Sequence, residues 1–254
     1  MYTTTFVTAL FQIYDAPSVV GKTLEKRLAW FAHLASSGVP IHLFVDLKSA
    51  IHVISFLKHA NIFITLINNL ESTWTYSIFA PYKTKLPPTR LAEKDSFEYI
   101  TLMNAKTEFV DCAARANIFN TPQFAWIDFN IFHVIKNVAM AKANLKKIAA
   151  CRLAPDVSVL FPGCWEAGRN RDQLWKSINW RFCGTFHIGT REGVMDMQQR
   201  IVNNISNMLY LHDVIVWEVN IWAYLENESD WKPCWYASDH NDRLLEIQDT
   251  FVKN

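Results

Sequence analysis

Apolar residues fall in short blocks separated by polar turns, and the period inside each block predicts an element. Residues 6–11, Phe-Val-Thr-Ala-Leu-Phe, are apolar on both faces and predict a first strand. Leu24, Leu28, Phe31 and Ala35 repeat at helical spacing over residues 24–35, and Gly38 and Pro40 close that helix. Residues 41–45 predict a second strand that ends on Asp46. Ser49 is placed to cap a helix over residues 50–59, and residues 62–67 form a third strand. Strand alternating with helix in this way is the mark of a parallel, doubly wound sheet.

Farther along, residues 68–90 are polar and aromatic, carry Pro81, Pro87 and Pro88, and read as a long loop. Asp95 or Ser96 caps a long helix bearing Phe97, Ile100, Met103, Phe109, Val110 and Ala113. Residues 124–127 and 157–161 predict strands, the second broken by Pro162-Gly163, with a helix over 137–150 between them. Residues 180–188 read as a strand bent at Gly184, and 192–211 as a long amphipathic helix. A short strand at 214–217 leads into a helix over 218–226. Trp235-Tyr236 is a short strand and 242–252 a terminal helix. No repeat or linker interrupts the pattern. The expectation is one α/β domain over residues 1–254, with a mostly parallel central sheet flanked by helices.

The chain has 254 residues, half of them hydrophobic and 19% charged, enough to build a large core without staples. Its net charge is +1, and no basic run stands out, which argues against nucleic acid as a partner. Residues 51–67, the most apolar stretch, are interrupted by His52, Lys58, His59 and Asn61, so no transmembrane segment is expected. The start lacks the basic leader of a signal peptide, and a cytoplasmic location follows as the expectation. The five cysteines are scattered and odd in number, with no Cys-x-x-Cys pair. That spacing argues against a disulfide framework or a structural zinc site.

Ligands of open α/β sheets bind at the carboxyl ends of strands. Candidate contacts with a bound cofactor or donor are therefore Thr8, Ala9, Asp46 and Ile127. Lys106 and Arg27 are helix cations within possible reach of a phosphate, and Gly163 is a strand-end glycine that admits close backbone approach. Asp128 is the sharpest candidate. An apolar strand delivers it, and Asn130 follows two residues later, on the same side of an extended segment. Two such oxygen ligands suit Mg²⁺ or Mn²⁺ beside a substrate phosphate; the alternative is that Asp128 caps the next turn. His240, in a polar turn, is either a distant metal ligand or a surface histidine. Glu218 is either a general base or a first-turn acid favoured by the helix dipole. P-loop, dinucleotide-fingerprint, zincin and nucleophile-elbow motifs are absent.

Several blocks together resemble the bacterial HtrL/YibB-like proteins: residues 5–11, 28–31, 41–46 and 104–110, then Phe124-Ala125-Trp126-Ile127-Asp128-Phe129. Trp180-Arg181-Phe182-Cys183-Gly184, Glu218 to Ala223 and Trp235 to Asp242 add to the likeness. That family is similar to glycosyltransferases of the GT-A fold. The resemblance implies a nucleotide-sugar donor, a carbohydrate or other hydroxyl acceptor, and a divalent cation, usually Mn²⁺. It sets Asp128 at the metal motif, His240 at a C-terminal metal ligand and Glu218 at the base of inverting members. Asn130 departs from the acid expected there, which favours a competing reading as a non-catalytic binding protein. A nucleotidyltransferase is a third reading. It normally needs a Gly-rich basic loop after the first strand, and residues 10–17 have neither feature.

Overall fold

In the computed structural model, residues 2–13 and 22–253 are described. Residues 14–17 of the stretch compared with a nucleotidyltransferase loop lie outside them. Strand β1 (Thr4–Leu10) is buried along its whole length. Its alternate side chains serve two cores: Phe6 and Leu10 join one apolar cluster, Val7 and Ala9 another on the opposite face. A strand covered on both sides reads as a continuous apolar run, which is the pattern of residues 6–11.

Strands β2 (Ile41–Asp46) and β3 (Ile62–Ile67) extend the sheet in parallel on one side of β1, and β4 (Gln123–Ile127) pairs with it in parallel on the other. The short strand β5 (Arg152–Leu153) lies outside this sheet. β6 (Val159–Gly163), β7 (Phe186–Thr190) and β8 (Cys234–Ala237) complete seven strands in the order β3-β2-β1-β4-β7-β6-β8. β7 runs antiparallel to both neighbours, and β6 and β8 pair in parallel. The fold is thus α/β with a mostly parallel sheet. The order reverses at β1, and the crevice between the carboxyl ends of β1 and β4 is the switch point where such sheets bind ligands.

Helix α1 (Leu24–Ala35) packs Phe31 and Leu34 on the face shared with α6 (Val138–Ala150). Thr23 caps α1, its hydroxyl accepting from Lys26 N. Helix α2 (Leu47–Val53) begins earlier than expected, because Asp46 rather than Ser49 is its cap: Asp46 Oδ1 accepts from Ser49 N at 2.9 Å. It then tightens into a 3₁₀ turn over Ile54–Lys58. The expected loop at 68–90 holds a short helix α3 (Trp74–Phe79), capped by Thr73. Glu108 fixes the start of that helix by accepting from Trp74 N and Thr75 N at 2.8 and 2.9 Å.

The long helix expected from residue 97 is two helices, α4 (Phe97–Asn104) and α5 (Lys106–Ala116), meeting at Ala105. α5 and α7 (Arg191–His212) cover the second face of the sheet. Residues 180–185 are irregular, so the strand expected at 180–188 is confined to β7. The strand at 214–217 is an extended lead into α8 (Glu218–Glu228). The expected terminal helix is instead two 3₁₀ turns, Asp242–Leu245 and Asp249–Phe251, followed by β9 (Val252–Lys253), which pairs with β5. β6 continues through Pro162 to Gly163; the Pro162 carbonyl still accepts from Cys183 N at 2.8 Å. Among the described residues no helix is long and apolar enough to cross a membrane.

Candidate active site

A cleft of about 600 Å³ opens at the switch point. Ala9 to Ile13 line it from the end of β1, Trp126, Asp128, Phe129 and Asn130 from the end of β4, and Ser49 and His52 from α2. Lys22, Arg27, Leu91, Lys94, Tyr99 and Met103 form other walls. Three cationic side chains thus face one crevice whose floor carries Asp128.

Asp128 is held by its own strand and by a buried lysine. Its Oδ1 accepts from Trp126 Nε1 at 2.8 Å, and the Lys106 ammonium stands 3.2 Å away. Its side chain is 21% exposed, against 2% for Lys106 and 7% for Glu218. Lys106 Nζ also donates to Glu218 Oε1 at 2.7 Å and to the Gly184 carbonyl at 2.8 Å, and it lies 5.7 Å from the Trp126 ring. Burial by itself would lower the Lys106 pKa, but the Asp128 and Glu218 carboxylates outweigh it and raise the value, keeping the ammonium charged. One cation between two acids is the arrangement a buried charge requires. Gly184 makes it possible: a Cβ there would fall 2.2 Å from Glu218 Oε1.

On the other side of Asp128, His133 closes the turn after β4. Its Nδ1 donates to the Asn130 carbonyl at 2.8 Å, and Lys22 Nζ donates to its Nε2 at 3.0 Å. Those two bonds define a neutral imidazole, and burial pushes its pKa down. Lys22 likewise has a lowered pKa, first from burial and then from the nearby Lys94 charge, with Asp128 opposing. Burial and the neighbouring Lys94 charge both weigh against the Lys22 ammonium, and an anion in the crevice would relieve that cost.

The other expected residues take different positions. Ala9 and Asn130 line the cleft beside Asp128, and Arg27 does so from α1; the segment from Asp128 to Asn130 is not extended as expected but turns at once, with Ile131 N donating to the Asp128 carbonyl at 2.9 Å. Thr8 points into the interior, fully buried and without a hydrogen-bond partner for its hydroxyl, and Ile127 is a core residue. Asp46 is buried; besides capping α2 it accepts from Gln12 N at 3.1 Å, so it fixes the cleft wall rather than lining it. Lys106 is not a wall residue but the cation beneath Asp128. Gly163 serves packing, since a Cβ would meet the Arg181 carbonyl at 2.1 Å. His240 stacks edge-on against Trp180 at 4.9 Å, and its Nδ1 lies 3.3 Å from Asp239 Oδ1; it is not among the cleft-lining residues.

Sequence reasoning missed Lys22, Lys94, Tyr99 and His133. A signal existed for two of them. Lys22 directly precedes the Thr23 cap of the first helix, and His133 follows Asp128 within one turn.

Residues 46–150 match the model of the HtrL_YibB family, described as a bacterial protein of unknown function. The chain resembles the HtrL/YibB proteins. No curated protein sequence matches it. Among solved structures, the apo form of mouse xyloside xylosyltransferase 1 superposes with a TM-score of 0.47 at 9% identity, covering 94% of this chain and 85% of that one. The 4-diphosphocytidyl-2C-methyl-D-erythritol synthase of Anaerococcus prevotii DSM 20548 gives 0.42 at 9%, covering 98% and 93%. Both are loose likenesses of fold.

Proposed function

We propose that this chain is a single GT-A-like domain that transfers a sugar from a nucleoside-diphosphate donor to a hydroxyl acceptor such as a glycan. The observation that carries the reading is the meeting of Lys22, Arg27 and Lys94 with Asp128 in one crevice at the sheet's switch point. A diphosphate matches three converging cations, and Tyr99, whose ring carries the Lys94 ammonium at 5.0 Å, sets that cation in the wall.

Glycosyl transfer breaks the bond from the anomeric carbon to the diphosphate, whose oxygen keeps the electron pair, and forms one to the acceptor oxygen, whose proton passes to water in the open crevice. Negative charge grows on the leaving diphosphate. Lys22, Arg27 and Lys94 would offset that charge inside a crevice, where such contacts are stronger than in open water. The donor set at the cleft fits Mn²⁺ or Mg²⁺: a carboxylate at Asp128 and a carboxamide oxygen at Asn130, both hard ligands and both cleft residues. When bound, such an ion supplies Lewis-acid neutralisation of the departing phosphate. Lys106 holds Asp128 in place.

Glu218 acts in this reading as a positioning residue. It is nearly buried, and its Oε1 is committed to Lys106, so it reaches the chemistry through Lys106 and Asp128. The competing reading, a nucleotide- or glycan-binding protein without turnover, draws on Asn130 in place of a second acid.

Calorimetric titration with nucleoside diphosphates tests the proposal. We expect binding that weakens by about tenfold or more in Lys22→Ala, Arg27→Ala and Lys94→Ala, on the order of 1.4 kcal/mol each. Absence of binding to every common nucleoside diphosphate, with and without Mn²⁺, would sink it. Binding without turnover across donors and acceptors would favour the non-catalytic reading.

A further inference from the structure

Cys164, Cys183 and His240 are far apart in sequence and meet in space. Their ligand atoms all lie within 4.8 Å of one another, the only such group of three or more His, Cys, Asp or Glu among the described residues. Three backbone segments converge to make this cluster. Cys164 follows β6 directly, Cys183 lies in the irregular stretch before β7, and His240 follows β8. Hydrogen bonds lock the three together: Cys183 N to the Pro162 carbonyl at 2.8 Å, Cys164 N to the Trp180 carbonyl at 3.1 Å, and Ser238 N to the Gly163 carbonyl at 2.8 Å. Gly163 permits the approach, because a Cβ would strike the Arg181 carbonyl.

We propose that Cys164, Cys183 and His240 form a binding site for a thiophilic divalent cation, zinc, distinct from the cleft. The two sulfurs are 3.7 Å apart. Sulfurs bound at about 2.3 Å to one tetrahedral ion stand about 3.7–3.8 Å from each other. A disulfide needs about 2.05 Å. Two thiolates and an imidazole form a soft donor set that selects zinc over the hard cations of phosphate chemistry. Three protein ligands leave the fourth position of a tetrahedral ion to water; Asp239 Oδ1, 3.7 Å from Cys164 Sγ and 3.3 Å from His240 Nδ1, borders the cluster without belonging to it.

Binding would release the thiol protons and tie the segment after β8 to the ends of β6 and β7. That segment continues as short 3₁₀ turns and a two-residue strand, so the ion would anchor the C-terminal part of the chain. The site would be structural, and Asp128 would play no part in it.

The test uses the full chain, reduced and stripped of metal. Cobalt is expected to give the thiolate charge-transfer absorption and the intense visible bands of a tetrahedral site, and a stoichiometric equivalent of zinc is expected to bleach them. Cys164→Ser, Cys183→Ser and His240→Ala should each weaken zinc binding by more than about 100-fold, beyond the loss of an outer-shell partner. Asp128→Asn and Cys112→Ser should leave it unchanged. Should the cysteine variants fail to fold, the unmodified protein still decides. Zinc should protect the half-buried Cys164, but not the exposed Cys112, from alkylation read by peptide mass spectrometry. Equal labelling with and without zinc would overturn the proposal. So would a Cys164–Cys183 disulfide in protein isolated without reductant, or cobalt spectra lacking charge transfer.

Discussion

The Lys106 ammonium meets the Asp128 carboxylate at 3.2 Å from beneath, so the acid at the end of β4 is tied to a fully buried cation. Glu218, 2.7 Å from the same ammonium, completes a chain of three charges leading from the core to the cleft. Function and stability are therefore joined at Lys106.

Replacing Lys106 by Met strands Glu218 inside the protein with no cation. Breaking a buried pair by removing one partner costs about 3–5 kcal/mol. Urea denaturation of Lys106→Met should register a loss of that size. The double variant Lys106→Met/Glu218→Gln should recover part of it, because the orphaned charge is gone. A single variant as stable as the parent would contradict the pairing.

Asp128→Asn keeps the shape of the side chain and removes its charge. Nucleoside diphosphate affinity in Mn²⁺ should fall by about tenfold or more, roughly 1.4 kcal/mol. Affinity measured in a chelator should change little. Equal losses in both conditions would mean that Asp128 does not act through a cation.

Two glycines should differ in cost. At Gly184 a Cβ meets Glu218 Oε1, the far end of a side chain; at Gly163 it meets the Arg181 backbone carbonyl. Gly184→Ala is expected to destabilise by about 1–3 kcal/mol, the ordinary range for overpacking, with Glu218 pushed off Lys106. Gly163→Ala should lie at or above the top of that range, since a carbonyl within a packed segment cannot swing aside. Thermal melts of the two variants give the order.

Acid stability should report His187. It is fully buried among Phe161 and Trp222, and neither ring nitrogen has a partner. Burial, aided by the Lys106 charge, pulls its pKa from 6.5 to about 3. His42, stacked on Phe44, is lowered to about 4 by burial. A group whose folded pKa is depressed contributes its full stability above the unfolded value and loses it as pH falls. The loss should run from near pH 6.5 down toward pH 3, with a slope of about 1.4 kcal/mol per pH unit for each histidine. His187→Phe should remove its share of that slope, measurable as unfolding free energy against pH.

Much of the sheet was legible in the chain. β1, β2 and β4 are apolar runs, and a strand buried on both faces has no polar alternation to confuse it; β3 is an apolar run too, although it lies half-exposed at the sheet edge. α1, α6 and α7 carry periodic stripes and turn signals close to their ends. Regions whose conformation rests on distant partners were not legible. α3 takes its second cap, beyond the local Thr73, from Glu108 on another helix, and residues 180–185 lie against β6 and Glu218 rather than pairing as a strand. The terminal segment lacks a helix because its turns dock separately, with Tyr236 bonding the Leu244 carbonyl and β9 pairing with β5.

For the candidate site, the sequence by itself determined the end of β4 and with it Asp128, since an apolar strand ending on an acid needs no partner to be seen. It also determined that Ala9, Arg27 and Asn130 stand near strand ends or on a neighbouring helix. Only the tertiary structure decided that Lys106 lies beneath Asp128, that Lys22 and Lys94 enter the same cleft, and that Cys164, Cys183 and His240 meet. Each of those relationships joins segments far apart in the chain. Spacing cannot encode such contacts, because the loops that make them are brought together by the sheet order and by close backbone approach at Gly163 and Gly184.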